Sequence, residues 1–130
     1  MGKGGTTNDS GEPKRITVEW MAACILGNLA LLMSLFEINP HLLNARDFLN
    51  GYTLLHWAAK RGMLDVIDWV AEKDQDIEAS LPIRSHSWSS QLHLAAESGR
   101  IAVIKRLIDL GADIKLRNHF GKKAEDVFEA

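Results

Sequence analysis

Leu55-His56-Trp57-Ala58-Ala59 and Leu92-His93-Leu94-Ala95-Ala96 are near copies of one another, and each is followed shortly by a glycine, Gly62 and Gly99. Self-similarity at a spacing of about 20–50 residues is the signature of stacked repeats, in which one supersecondary unit buries its apolar face against the next. Such arrays leave a long face open, so the duplication points to a binding surface before any single residue does.

Aligning on the glycines adds a third copy. Gly27, Gly62 and Gly99 bring Ala23, Ala58 and Ala95 into one column and Cys24, Ala59 and Ala96 into the next. Small side chains let neighbouring helices approach closely, and a glycine can take the positive φ that ends a helix. Each unit therefore opens with a short helix and a tight turn. A second helical pattern follows: Leu29, Leu31, Leu32 and Leu35; then Leu64, Val66, Ile67 and Val70; then Ile101, Val103, Ile104, Leu107 and Ile108. The steps from Gly27 to Leu42, Gly62 to Ile77 and Gly99 to Ile114 are equal, so the helical part of the repeat has no insertions. Length varies only between that closing residue and the next first helix, which is where repeat proteins place loops on one face, often the binding face. The loop from Glu78 to Ser89 is the longest.

Thr53-Leu54-Leu55-His56-Trp57-Ala58-Ala59 with Gly62, and the Gly99–Ile114 stretch ending Leu110-Gly111-Ala112-Asp113-Ile114, resemble the ankyrin repeat, whose pattern includes T-P-L-H-x-A. The resemblance covers about Ile16 to Phe128. A narrower likeness runs through Glu19-Trp20-Met21, Asn39-Pro40-His41-Leu42-Leu43, Arg46-Asp47-Phe48, Asn50-Gly51-Tyr52-Thr53 and Gly121-Lys122-Lys123-Ala124, which are similar to the sosondowah ankyrin-repeat proteins. It implies an all-α solenoid of helix-turn-helix units with hairpin-like fingers, in which first helices and fingers line a concave groove that binds other proteins. In the sosondowah proteins a short ankyrin block usually stands late in a longer chain.

The expected organisation is a leader over 1–15 and a repeat domain over 16–130. The domain divides into a divergent capping repeat over 16–47, repeats over 48–84 and 85–117, and a C-terminal capping helix over 118–130. The cap reads as a single closing helix from Lys122 to Glu129. Unit one departs from the pattern, with Val18, Trp20 and Met21 where Thr, Leu and His stand elsewhere, as suits a repeat that faces solvent on one side. Leu54 and Gln91 replace the usual proline. Trp88 takes the finger position that Gly51 and Gly121 fill.

Composition narrows the function classes. A chain of 130 residues, 46% hydrophobic and 25% charged, builds one compact core or a short array. Its net charge of −2 lacks the basic excess of a phosphate-binding protein, so nucleic acid is a disfavoured partner. A nucleic-acid adaptor would have to use Lys60, Arg61, Arg84, Lys115, Arg117, Lys122 and Lys123. The apolar run from Met21 to Phe36 is broken by Gly27, Asn28 and Ser34 and is too short to span a bilayer, so no membrane partner is expected. With one cysteine no internal disulfide forms, and an intracellular setting is the simpler reading.

No enzyme, cofactor or metal site is expected. His56 and His93 share one column, which favours a structural role: a helix-start histidine bridging backbone groups beside Thr53 or Ser90. Cys24, His41, His86 and His119 lack the ligand spacing of a zinc site, and Cys24 fills a column of buried alanines. Phosphate-cradling glycine motifs are absent. Trp57 reads as packed or partly packed. Trp69 aligns with Arg106; packing is the favoured reading, and an exposed convex contact is the alternative.

The finger loops carry the partner-binding candidates: Phe48, Leu49 and Tyr52 on the first, Arg84, His86 and Trp88 on the long second, His119 and Phe120 on the third. Tyr, Trp and Arg dominate interface energetics because they combine large buried area with a hydrogen-bonding handle. Lys60 and Arg61 correspond to Glu97 and Ser98 in the next unit and place alternating charge along the groove edge, which suits partner orientation. The expected partner is a protein, or a segment of the parent chain. Self-association through an exposed solenoid end is a further possibility, because three units are near the lower limit for a stable array.

Overall fold

The computed structural model describes residues 12–74, 77, 81, 85 and 90–128, with side chains from Arg15 onward. Among these residues there is no strand; helices α1 (Glu12–Leu26), α2 (Leu29–Ile38), α3 (Leu54–Arg61), α4 (Leu64–Lys73), α5 (Gln91–Glu97), α6 (Ile101–Asp109) and α7 (Ala124–Val127) follow in order. A 3₁₀ turn spans Pro40–Asn44. Helix α1 begins at Glu12, upstream of the expected domain start, because Pro13 is tolerated in a helix's first turn.

Local chemistry sets the helix ends. Gly27 (φ 68°), Gly62 (φ 76°) and Gly99 (φ 67°) are all left-handed and turn the chain from first to second helix. Asn28 caps α2 by accepting from the Leu31 amide at 3.2 Å. Asn39 works in both directions: its amide donates to the Leu35 carbonyl at 3.0 Å, and its side chain accepts from the His41 amide at 3.1 Å, so α2 stops where the 3₁₀ turn starts. In α4, Asp65 in the first turn and Lys73 in the last complement the helix dipole.

The first helices stack in one layer, α1 on α3, α3 on α5 and α5 on α7, and second helices pack behind them. The aligned small columns are the seam. Ala23, Cys24, Ala58, Ala59, Ala95 and Ala96 are all buried, and a larger residue there would overpack at a cost of about 1–3 kcal/mol. Trp20 is fully buried in the position that Leu55 and Leu92 hold in the later units, so the capping repeat fills the same socket with a larger side chain.

Glycines in one unit also seat the next. A Cβ at Gly27 would collide with the Met63 sulfur, and one at Gly62 would lie 3.0 Å from Arg100 Cδ. Met63 and Arg100 each follow their own unit's glycine, so the residue after each turn lies over the turn before it. Arg100 Nε also donates to the Lys60 carbonyl at 3.3 Å.

Trp69 is buried and meets Phe36 edge-on, with ring centroids 5.4 Å apart, so it is a packing residue and the alternative of an exposed convex contact is overturned. Arg106, which aligns with Trp69, pairs instead with the neighbouring Asp68 at 2.6 Å. The closing helix is shorter than Lys122 to Glu129. It starts at Ala124 after an extended Lys123 and ends at Val127, ahead of Phe128, whose backbone is extended again.

Candidate protein-binding surface

Helices α3, α5 and α7 are each held to the residue before them by the side chain at their third position. Thr53 and Ser90 adopt extended backbone ahead of α3 and α5. The Thr53 amide donates to His56 Nδ1 at 3.0 Å, and the Ser90 amide donates to His93 Nδ1 at 3.3 Å. Accepting at Nδ1 fixes the neutral tautomer with its proton on Nε2. In His93 that Nε2–H donates to the Lys122 carbonyl at 2.8 Å, tying α5 to the finger of the following unit. Both histidines are buried and structural. At α7 the same place is taken by Asp126, whose carboxylate accepts from the Lys123 amide at 2.9 Å.

The first and third fingers share a frame. In the first, the Asp47 amide donates to the Tyr52 carbonyl at 2.9 Å, the Gly51 amide to the Asp47 carbonyl at 3.0 Å, and the Asp47 carboxylate accepts from the Asn50 and Gly51 amides. In the third, the Asn118 amide donates to the Lys122 carbonyl at 2.8 Å, the Gly121 amide to the Asn118 carbonyl at 2.9 Å, and the Asn118 side chain accepts from the Phe120 and Lys122 amides. An arginine braces each glycine: Arg46 Nε reaches the Gly51 carbonyl at 3.0 Å, and Arg117 reaches the Gly121 carbonyl at 2.7 Å. Gly51 (φ 70°) and Gly121 (φ 76°) supply the left-handed turn. Sequence reasoning missed Arg46, Asp47 and Asn118 as finger builders, although the repeated Arg-Asp and Arg-Asn pairs ahead of each glycine carried the signal; Arg117 appeared only as a candidate phosphate contact.

This frame holds the tips outward. Phe48 is 85% exposed, Leu49 75% and Phe120 78%. His119 lies edge-on to Phe120 at 5.4 Å and is also exposed. Tyr52 turns inward instead: its half-buried ring stacks on His56 at 5.5 Å and meets Trp57 edge-on at 4.9 Å. Burial pushes the Tyr52 hydroxyl above its usual pKa, with the Glu97 and Asp47 charges adding to the rise. Glu97 ends α5, so its influence on Tyr52 links the groove of one unit to the next. Lys60 and Arg61 are exposed at the C-terminal end of α3. Arg84, His86 and Trp88 lie outside the described residues, so the second finger's share of the surface rests on sequence alone. Of the basic set weighed for nucleic acid, Lys60, Arg61, Lys115 and Lys122 are exposed, and Arg117 is engaged by the Gly121 carbonyl.

No described group of three or more His, Cys, Asp or Glu side chains is arranged to hold a metal ion. Among the described residues no helix is long and apolar enough to cross a membrane.

The stacked helix pairs, left-handed glycines and hairpin-like fingers define a repeat solenoid, and a family model for ankyrin repeats in three copies matches residues 20–118. The chain belongs to the ankyrin-repeat family, whose repeats are protein–protein interaction modules. Its curated relatives include the ankyrin repeat domain-containing protein SOWAHB of Xenopus laevis, 33% identical over 109 residues, covering 82% of this chain and 13% of that protein. SOWAHD of Homo sapiens is 36% identical over 110 residues, covering 81% of this chain and 34% of its own length. The chain thus spans about a third or less of these relatives. Among solved structures, a chain in the crystal structure of the yeast ribosomal protein Rps3 in complex with its chaperone Yar1 superimposes with a TM-score of 0.78 at 25% identity, covering 85% of this chain and 81% of that one.

Proposed function

We propose that this domain binds a partner protein, or a segment of its own parent chain, through the finger tips and the adjoining first-helix groove. The observation that carries the reading is the pair of matched fingers, each with a large apolar residue, Phe48 or Phe120, held in solvent by the same arginine-braced, glycine-turned frame. Building the frame twice and leaving its apolar tips uncovered suits a surface that is buried on binding. Tyr52 and Trp57 continue the patch into the groove, and Lys60, Arg61 and Glu97 give its edge mixed charge for orienting a partner. The solved neighbour comes from an assembly of two proteins, a use consistent with this architecture.

The test begins with affinity capture using the wild-type chain and a Phe48→Ala/Phe120→Ala variant, then measures binding of each captured, purified protein by calorimetry. A genuine partner loses at least about tenfold in affinity with the double variant, while the thermal melt of the chain is unchanged. An identified partner that binds both forms equally would place the surface elsewhere.

A further inference from the structure

The first and third fingers share one frame but not one charge. The frame's acceptor is Asp47 in the first and Asn118 in the third, and both do the same work. The Asp47 carboxylate takes the Asn50 and Gly51 amides, and the Asn118 side chain takes the Phe120 and Lys122 amides. The third finger therefore keeps the geometry without the negative charge. Two further columns change in the same sense. Half-buried Tyr52 follows Gly51 where exposed Lys122 follows Gly121, and buried Leu43 follows the closing Leu42 where exposed Lys115 follows Ile114.

The result is a basic face around an apolar tip. From Ile114 to Ala124 there is no acidic residue. Lys115, Arg117, His119 and Lys122 are all exposed, and Phe120 stands among them. Lys115 and Lys122 form no ion pair among the described residues, and Arg117 donates to the Gly121 carbonyl. Like charges held side by side repel one another, so an anionic occupant relieves the cluster as well as pairing with it. Phe48, on the finger between the first two helix pairs, is more exposed than Phe120, so a bare tip comes with the frame rather than with a place along the chain.

On the reading that the fingertips bind a protein, we propose that the third finger takes an acidic segment of that partner, with carboxylates flanking an apolar side chain that covers Phe120. The carboxylates pair with Lys115 and Lys122, while Arg117, held by the Gly121 carbonyl, adds its positive charge. The basic face is short, because exposed Asp113 bounds it on one side and exposed Glu125 and Asp126 on the other. A few carboxylates match that footprint. A nucleic-acid strand carries its charge beyond it and needs a longer basic stripe. The first finger, with Asp47 beside Arg46, has no such excess of positive charge. An extended segment lying across both tips is therefore oriented with its acidic end at the third finger.

Fluorescence anisotropy tests the proposal, using the whole chain and a labelled peptide with glutamates on both sides of a central phenylalanine. The expected result is binding at least about tenfold tighter than to the same peptide with glutamine in place of glutamate. Asn118→Asp should weaken the acidic peptide about fivefold and leave the glutamine peptide unmoved. Its thermal melt should not change, because aspartate already serves as the acceptor in the first finger. Lys115→Gln/Lys122→Gln, at two exposed positions, should weaken the acidic peptide by at least as much. Equal binding of the two peptides, an acidic peptide that does not bind, or one that is indifferent to Asn118→Asp and to the lysine pair overturns the proposal. So does tighter binding of a single-stranded oligonucleotide at the same salt, which assigns the face to nucleic acid. The fingertip reading fails separately, through an identified partner that is indifferent to Phe48→Ala/Phe120→Ala. A partner that responds to that pair but not to Asn118→Asp ends only the acidic assignment.

Discussion

His93 Nε2 donates to the Lys122 carbonyl at 2.8 Å, while its Nδ1 accepts from the Ser90 amide, so one buried ring joins the start of α5 to the finger of the next unit. Removing it leaves an amide and a carbonyl without their partner, and a buried polar group left unsatisfied costs about 1–3 kcal/mol. His93→Ala should therefore destabilise the chain by about 3 kcal/mol in urea titration, including the lost packing. His119→Ala, on an exposed fingertip, should shift stability by less than about 0.5 kcal/mol. Equal effects would mean that the ring bridge contributes nothing.

Gly27 and Gly121 separate two reasons for glycine. Both are left-handed, but a Cβ at Gly121 meets nothing within 4 Å, whereas one at Gly27 runs into the Met63 sulfur. Gly121→Ala should cost only the conformational strain, about 1–2 kcal/mol. Gly27→Ala adds displacement of a partly buried methionine and should cost about 1–3 kcal/mol more. Thermal melts of Gly27→Ala, Met63→Ala and the double variant form a cycle in which the double is less damaging than the sum. Strict additivity would show that the methionine moves aside freely.

Asp68 and Arg106 link α4 to α6 across the convex face, with side chains 54% and 42% exposed. Water and salt screen such a pair, so its worth is at most about 1 kcal/mol. Asp68→Asn should lower stability by about 0.5 kcal/mol at low salt, and the difference should vanish at high salt. A loss that persists in high salt would point to packing instead.

The register of the repeats was legible because it rests on columns: alanines and glycines recur wherever helices must touch or turn. The histidine role was legible for the same reason, since His56 and His93 repeat beside a hydroxyl residue. Asp126 was not, because aspartate in that column breaks the residue pattern while keeping the chemistry, an acceptor for the cap amide. Trp69 aligned with Arg106 suggested an exposed alternative, but Arg106 pairs with Asp68, the neighbour of Trp69, while Trp69 is itself buried, so identity at an aligned position was a poor guide to burial. Fingers were legible as places of length variation. Their bracing by Arg46 and Arg117 was not, because an arginine spent on a carbonyl looks in sequence like one available to a ligand. The outward face of α6 reads as core, since its isoleucines keep helical spacing, yet Ile101 and Ile108 are exposed.

Cys24 gives the array a pH-sensitive probe. Burial foremost, then the charge of Asp47, pushes its thiol well above the ordinary value of 9.0. The folded chain therefore keeps this proton while the unfolded chain releases it, so the thiol's own contribution to stability is constant below pH 9.0 and falls as pH rises above it. Tyr52, raised by its own burial, acts in the same direction above 10.0. At about pH 8 the native thiol should resist a soluble alkylating reagent and react at a rate set by opening of the structure, since the thiolate is the nucleophile. Destabilising His93→Ala should raise that rate by about a hundredfold if alkylation requires global unfolding, which is what a loss of about 3 kcal/mol allows. Rapid labelling of the native wild-type chain would show instead that the seam between α1 and α3 opens locally.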